Sequence, residues 1–267
     1  MQKTETPGTL LTDMRDTAPL VQCITNYVAM NVAANVLLAA GASPAMVHAT
    51  EEAGQFAGFA GALTVNIGTL SPDWVAGMKA AIGGATAARR PWVLDPVAHF
   101  ATDLRRKATA ELLSLGPTII RGNASEIIAL AGGVSNARGV DSRDPVEQAE
   151  AAAGRLAKKQ RCIVAVTGAT DFVTDGTRAA RIAGGSSLMP KVTALGCSLT
   201  CLVGAYAAIR PDDPFDATIA ALAHFAVAGE QAGKQSQGPG SFAVRFVDLL
   251  AEVDGAVLDN RARVVRL

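Results

Sequence analysis

The chain has 267 residues, 49% of them hydrophobic and 4% aromatic, and its 24 basic and 24 acidic side chains leave it formally neutral. That length is enough for a substantial core. With neither half strongly basic and few rings for stacking on bases, nothing points to a nucleic-acid partner.

Residues 1–17 read as an exposed helical lead-in, polar and mixed in charge, without the basic and apolar regions of a signal peptide. Residues 20–25 are a short apolar strand. Asn26 opens an apolar segment, and residues 28–40 predict a helix ending at Gly41, too apolar for a surface helix. Residues 44–47 predict a second short strand. Thr50-Glu51-Glu52 opens a helix by cap and dipole logic. A third strand spans 62–67. After it, Ser71-Pro72-Asp73 starts a helix, with Ser as cap and Pro at the first helical position. A fourth strand, 92–95, is broken by Pro96, and residues 104–115 follow as a helix. A fifth strand spans 118–121, and Asn123 opens another helix. Residues 134–144, rich in Gly, Ser, Asn and Asp, read as a loop. An Ala-rich helix spans 145–159, and a sixth strand 162–167.

Residues 171–174 and 178–182 flank Asp175-Gly176, a hairpin signal. Residues 192–209 carry no charge and are apolar on every side, so they predict a tight Gly-bearing turn feeding a buried helix. The stretch approaches membrane-span length, but its Gly, Ser, Thr and Cys content and its α/β surroundings favour a protein interior. A further helix spans 215–233, Gly238-Pro239-Gly240 reads as a turn, and residues 242–250 predict a last amphipathic helix. Apolar strands alternate with helices and no linker interrupts them. The expectation is one α/β domain over residues 1–267, a largely parallel sheet with helices on both faces.

In such sheets ligands bind at the carboxyl ends of the strands, and several polar residues fall there. Asp95 ends a strand. Glu126 follows Arg121 and Asn123. Thr167-Gly168 closes the sixth strand. Asp95 and Glu126 could hold Mg²⁺, which takes carboxylates together with waters and phosphate oxygens. Asn123 with Glu126 three residues on is also a capping box, which requires no function. Arg121 can pair with phosphate or snorkel to the surface. Thr167-Gly168 can cradle a phosphate or form a plain strand exit.

At Gly196-Cys197 the start of the apolar helix leaves backbone N–H groups without intrahelical acceptors. Small residues there, Ala194 and Gly196, let an anion approach, and Cys197 stands at the mouth. A thiol at a helix start is expected to ionise more readily. The chain has no G-x-x-x-x-G-K-[ST], no G-x-G-x-x-G after a first strand and no G-x-S-x-G, which disfavours P-loop, dinucleotide-binding and α/β-hydrolase chemistry. The three histidines are scattered and offer little for zinc. Cys23, Cys162, Cys197 and Cys201 lie in apolar runs with no CxxC, which argues against a disulfide framework and for a cytoplasmic setting.

Several motifs in order carry a resemblance over nearly the whole chain. They are Gln22-Cys23-Ile24-Thr25-Asn26-Tyr27-Val28, Ala40-Gly41-Ala42-Ser43-Pro44-Ala45-Met46, Asn66-Ile67-Gly68-Thr69-Leu70 and Leu94-Asp95-Pro96-Val97. Arg121-Gly122-Asn123-Ala124-Ser125-Glu126-Ile127, Gly196-Cys197 and Gly238-Pro239-Gly240-Ser241-Phe242 complete the set. Together they resemble the hydroxyethylthiazole kinases of thiamin salvage, a family of the ribokinase-like superfamily. The resemblance implies ATP-dependent phosphorylation of the primary alcohol of 5-(2-hydroxyethyl)-4-methylthiazole, with Mg²⁺. It puts Arg121 and Thr167, with Gly168 and Asn123 beside them, at ATP-contacting positions. Met46 and Ala194, with Asn26, fall on the thiazole side. Asp95 and Glu126 match the acidic metal-site positions, Cys197 the catalytic position and Gly196 the anion hole.

The resemblance also implies a homotrimer with active sites between subunits. One departure stands out. Where the family commonly has Gly-Thr-Gly, this chain has Ala194-Leu195-Gly196, a change that bears on substrate fit and rate more than on reaction type. Two other readings stay open from the sequence: a ribokinase-like kinase for a hydroxymethylpyrimidine or a sugar, and a non-catalytic nucleotide-binding protein on the same fold.

Overall fold

A computed structural model describes residues 5–133 and 145–267; the loop expected over 134–144 lies outside the described residues. Six strands run parallel: β1 (Leu20–Ile24), β2 (Ser43–Ala45), β3 (Ala62–Asn66), β4 (Trp92–Asp95), β5 (Ile119–Asn123) and β6 (Ile163–Thr167). β3 and β4 are buried at every residue, as strands covered on both faces must be. The hairpin around Asp175-Gly176 forms as β7 (Thr170–Thr174) and β8 (Ala179–Ala183), antiparallel to each other, with β7 antiparallel to β6. A ninth strand, β9 (Arg263–Arg266), pairs antiparallel with β8.

Among the described residues the helices are α1 (Pro7–Thr17), α2 (Met30–Ala40), α3 (Thr50–Phe59), α4 (Pro72–Ala87), α5 (Asp103–Leu113), α6 (Ala124–Leu130), α7 (Val146–Gln160), α8 (Leu195–Ile209), α9 (Pro214–Lys234), α10 (Pro239–Glu252) and α11 (Gly255–Arg261). α1, α2 and α8 to α11 share one apolar cluster with Val21, Cys23 and Val93 of the sheet. α3 to α7 share the other with Ile24, Leu63, Val65 and Leu94. Helices therefore cover both faces, as expected.

Several details differ from the sequence reading. Ala49, not Thr50, is the N-cap of α3, and no side chain caps that helix, although Glu51 and Glu52 do lie in its first turn. α1 buries Leu10, Leu11 and Met14, so it is amphipathic and not simply exposed. α2 begins at Met30, and Tyr27 and Val28 before it are 68% and 60% exposed, so that apolar run is not wholly interior. Gly238 is the N-cap of α10 with Pro239 in its first turn, a helix start where a turn was expected. α11 and β9 follow, because a seven-residue helix and a four-residue edge strand carry too little periodicity to be read.

The strand order is β2-β1-β3-β4-β5-β6-β7-β8-β9. The chain moves outward from β1 to β2, then crosses to β3 on the other side. Connections therefore diverge at the carboxyl ends of β1 and β3, which opens a crevice there. α8 lies over this crevice. A Cβ on Gly204 would come within 2.5 Å of Thr64 Cγ2, so glycine is what allows α8 to settle onto β3. Gly204 meets mid-strand residues, while Thr200, one turn earlier, reaches Asp95 at a strand end. The start of α8 is thereby aimed at the carboxyl edge of the sheet.

Candidate active site

Asn66 and Asp95 end neighbouring strands in register. Asp95 Oδ2 accepts from Asn66 Nδ2 at 2.7 Å and from Thr200 Oγ1 at 2.8 Å. Asp95 Oδ1 is buried with no hydrogen-bond partner among the described residues. Burial raises the Asp95 pKa, against the opposing pull of Arg121, Thr200 and Asn66. Asn66 Oδ1 accepts from Asn26 Nδ2 at 2.9 Å, and the same Asn26 nitrogen donates to Cys197 Sγ at 3.3 Å. Asn26 Oδ1 accepts from the amides of Val28 and Ala29, both at 3.1 Å, which fixes the turn into α2. A relay of oriented amides thus joins the Asp95 carboxylate to the Cys197 thiol across three strands and one helix. Asn66 and Thr200 are the members that the sequence reading did not select. The available signals were a polar residue closing a buried strand, and a hydroxyl one turn beyond Gly196.

Cys197 lies in the first turn of α8, as expected, but it is no thiolate. Burial, reinforced by the negative charge of Asp95, pushes its thiol up to about 12, and the hydrogen bond from Asn26 and the charge of Arg121 do not offset this. A helix terminus carries only about half a charge, too little to hold a buried anion beside a carboxylate. The expected ionisation is therefore corrected to a neutral thiol.

Ala194 is the N-cap of α8, left-handed at φ 66°, and offers no side-chain cap. The amides of the first turn remain available to an anion. Left-handed backbone costs an alanine about 1 kcal/mol more than a glycine. A Cβ on Gly196 would lie 3.0 Å from Arg121 Nη1, so glycine lets the guanidinium sit against the helix start.

Arg121 Nη2 donates to Thr167 Oγ1 at 2.6 Å, and Nη1 stands 3.8 Å from Asp95 Oδ2. The guanidinium therefore links β4, β5, β6 and α8. Of the two readings for Thr167-Gly168, a phosphate cradle or a plain strand exit, neither is decided by the Gly168 amide, which donates to Asp171 Oδ1 at 2.9 Å. Desolvation pushes the Asp171 carboxyl up to about 7, despite Gly168 and Arg121. Sequence reasoning did not select Asp171, whose only mark was its place in the first strand of the hairpin.

Asn123 and Glu126 form the capping box: Glu126 N donates to Asn123 Oδ1 at 2.9 Å, and Asn123 N to Glu126 Oε2 at 2.8 Å. Glu126 Oε1 also accepts from Ala98 N at 3.0 Å, which ties the segment after β4 to α6. Burial and the neighbouring Asp95 push the Glu126 carboxyl up to about 7. The structure thus brings Asp95 and Glu126 together. Among the described residues no group of three or more His, Cys, Asp or Glu forms a metal cage. Two carboxylates with one free buried oxygen do fit Mg²⁺, which takes its other ligands from water and phosphate.

Met46, just past β2, packs half-buried against the α8-side cluster and takes no part in the polar relay. Its neighbour His48 packs 4.7 Å from the Trp74 ring, and Tyr27 packs 5.0 Å from the same ring. Trp74 thereby brings the segment after β1 and the segment after β2 to one wall.

The fold is a layered α/β one, with a candidate site at the carboxyl edge of its largely parallel sheet. A ribokinase-like superfamily protein from Enterococcus faecalis superposes with a TM-score of 0.64 at 11% identity, over 96% of this chain and 92% of that one. The chain belongs to the hydroxyethylthiazole kinase family, whose sequence model matches residues 11–255. The hydroxyethylthiazole kinase of Rhizobium rhizogenes is 71% identical over 264 residues, covering 99% of this chain and 98% of the relative. The structure of the hydroxyethylthiazole kinase from Pyrococcus horikoshii matches with a TM-score of 0.89 at 37% identity, over 98% of each chain.

Proposed function

We propose that the chain transfers the terminal phosphoryl group of ATP to the primary alcohol of 5-(2-hydroxyethyl)-4-methylthiazole. The observation that carries this is the uncapped start of α8, set between Cys197 on one side and Arg121 on the other. Such transfer asks little covalent chemistry of a protein; positioning and charge neutralisation dominate. Arg121 and Thr167, with Gly168 and Asn123 beside them, receive the nucleotide phosphates. The first-turn amides around Gly196 stabilise charge on the moving phosphoryl group. Cys197, as a neutral thiol held by Asn26, hydrogen-bonds the substrate hydroxyl and aims it; as the new P–O bond forms and the bond to ADP breaks, the hydroxyl proton passes to an oxygen of the transferred phosphoryl group. Met46, Ala194 and Asn26 face the thiazole.

Asp95, through its free Oδ1, and Glu126 would hold Mg²⁺. When bound, Mg²⁺ offsets the charge of the phosphates. Residues 1–267 are read as one kinase domain that works in the cytoplasm. A homotrimer is part of the same reading, with the exposed Tyr27 and Val28 beside Asn26 as a natural part of its contact.

The test is ADP release from ATP and Mg²⁺ with the thiazole alcohol, a hydroxymethylpyrimidine, ribose or no acceptor. Release with the thiazole alcohol alone supports the reading. Release only with another acceptor reassigns the substrate, and ATP binding without release points to a non-catalytic role.

A further inference from the structure

Arg105, in the first turn of α5, makes no salt bridge among the described residues. Its guanidinium is taken up by main-chain carbonyls. Nη1 donates to Ile67 O at 2.9 Å and to Val97 O at 2.8 Å, and Nη2 donates to Gly68 O at 2.5 Å. Ile67 and Gly68 directly follow β3, and Val97 follows β4. One cation therefore fastens together the two segments that leave the strand ends bearing Asn66 and Asp95.

Both segments control site groups. Gly68 N donates to Asn66 Oδ1 at 2.9 Å, so the segment after β3 helps hold the Asn66 amide. A Cβ on Gly68 would stand 2.6 Å from Asn26 Nδ2, so a small shift of that segment is felt by Asn26. The segment after β4 continues into Ala98, left-handed at φ 46°, whose amide is held by Glu126 Oε1. A left-handed alanine persists only where its surroundings hold it, and Arg105 and Glu126 grip either side of that step. Arg121 and Thr167 lie on β5 and β6, outside the clamp.

We propose that Arg105 is a positioning residue for phosphoryl transfer. By clamping the carbonyls of Ile67, Gly68 and Val97, it sets the Asn26–Asn66–Asp95 relay that aims Cys197. The role needs the planar fork: a lysine keeps the charge but cannot span three carbonyls in two segments. The proposal rests on the kinase reading given above.

The experiment compares the full chain with Arg105→Ala and Arg105→Lys in steady-state kinetics with ATP and the thiazole alcohol, with hydrogen exchange read on peptides covering 66–69 and 96–99. For Arg105→Ala the expected result is a kcat at least about ten-fold lower, because small misplacements of reacting groups cost that much or more. KM for ATP stays within about two-fold, because Arg121 and Thr167, which meet the nucleotide phosphates, lie on β5 and β6 outside the clamp. Added guanidinium ion restores part of the lost kcat. Exchange speeds up in both peptides and not in those covering β5 and β6. Arg105→Lys shows the same loss in milder form, and it carries the test if the alanine variant does not fold.

A folded variant with parental kcat overturns the proposal. So does a loss without guanidinium rescue that accompanies faster exchange across the whole sheet. If the parent chain itself fails to phosphorylate the thiazole alcohol, the kinase reading falls and the exchange pattern alone decides the clamp: acceleration confined to the two segments upholds it, and none overturns it.

Discussion

The acceptor side and the nucleotide side of the site are built differently. On the acceptor side Asp95, Asn66 and Asn26 are 1%, 2% and 6% exposed, and each is held by at least two hydrogen bonds. On the nucleotide side Gly168 is exposed and its amide is taken by Asp171, while Arg121 rests on Thr167 and keeps a buried Nε with no partner among the described residues. The first arrangement is set before any ligand arrives. The second must exchange internal bonds for phosphate contacts. The difference teaches where selection takes place: a neutral alcohol needs a rigid, dry seat, whereas a charged polyphosphate can displace weaker internal contacts with its own.

Breaking the rigid side at its root has the largest expected effect. Asp95→Asn keeps the shape but removes the charge that orders the relay, so kcat/KM falls about 10²- to 10³-fold, as for loss of one preorganised electrostatic group. Steady-state kinetics check this, with a thermal melt to show that the variant is folded.

Cys197 sharpens the comparison next. Cys197→Ala lowers kcat by about 10²-fold, as expected for the loss of a group that aims the reacting hydroxyl, while Cys197→Asp, which keeps a polar atom able to hydrogen-bond that hydroxyl, retains activity. Because the parental thiol is pushed up to about 12, its alkylation by iodoacetamide at pH 8 is far slower than that of a free cysteine. Labelling at the ordinary thiol rate would show the site to be more open than described.

Glu126 gives a pH signature. Its folded pKa, about 7, lies above the ordinary 4.5, so the fold favours the protonated form. The resulting stabilisation is fully present below pH 4.5 and is lost as pH rises through 7, on the order of 3 kcal/mol over the window. In metal-free buffer, urea melts of the parent lose this increment between pH 4.5 and 7, and Glu126→Gln does not. Mg²⁺ bound at Asp95 and Glu126 would flatten the parental trend.

The smallest effect is at the turn. Ala194→Gly relieves left-handed backbone but adds chain entropy, so stability rises by about 0.5 kcal/mol or less. A loss of stability in the melt would mean that the Ala194 methyl group packs usefully.

Much of this was readable along the chain, for reasons that differ by residue. Asp95 at an apolar strand end and the Asn123–Glu126 box are local patterns, and both formed where the spacing put them. The relay was not readable. Asn26 and Asn66 are 40 residues apart, Asp95 and Thr200 are 105 apart, and strand order alone makes them neighbours. The Cys197 ionisation was misjudged because the helix start is visible in sequence while the adjacent buried Asp95 is not. Asp171 was missed for a different reason: its bond from Gly168 is local, three residues along the chain, but is a turn bond that no spacing rule singles out.

The central claim is the division of labour, and one paired experiment tests it most directly: bisubstrate kinetics of Cys197→Ala and Arg121→Ala, varying ATP and the thiazole alcohol. The account predicts that Cys197→Ala lowers kcat and leaves KM for ATP unchanged, whereas Arg121→Ala raises KM for ATP several-fold. The reverse pattern, ATP affinity lost with Cys197 and kept without Arg121, would contradict it.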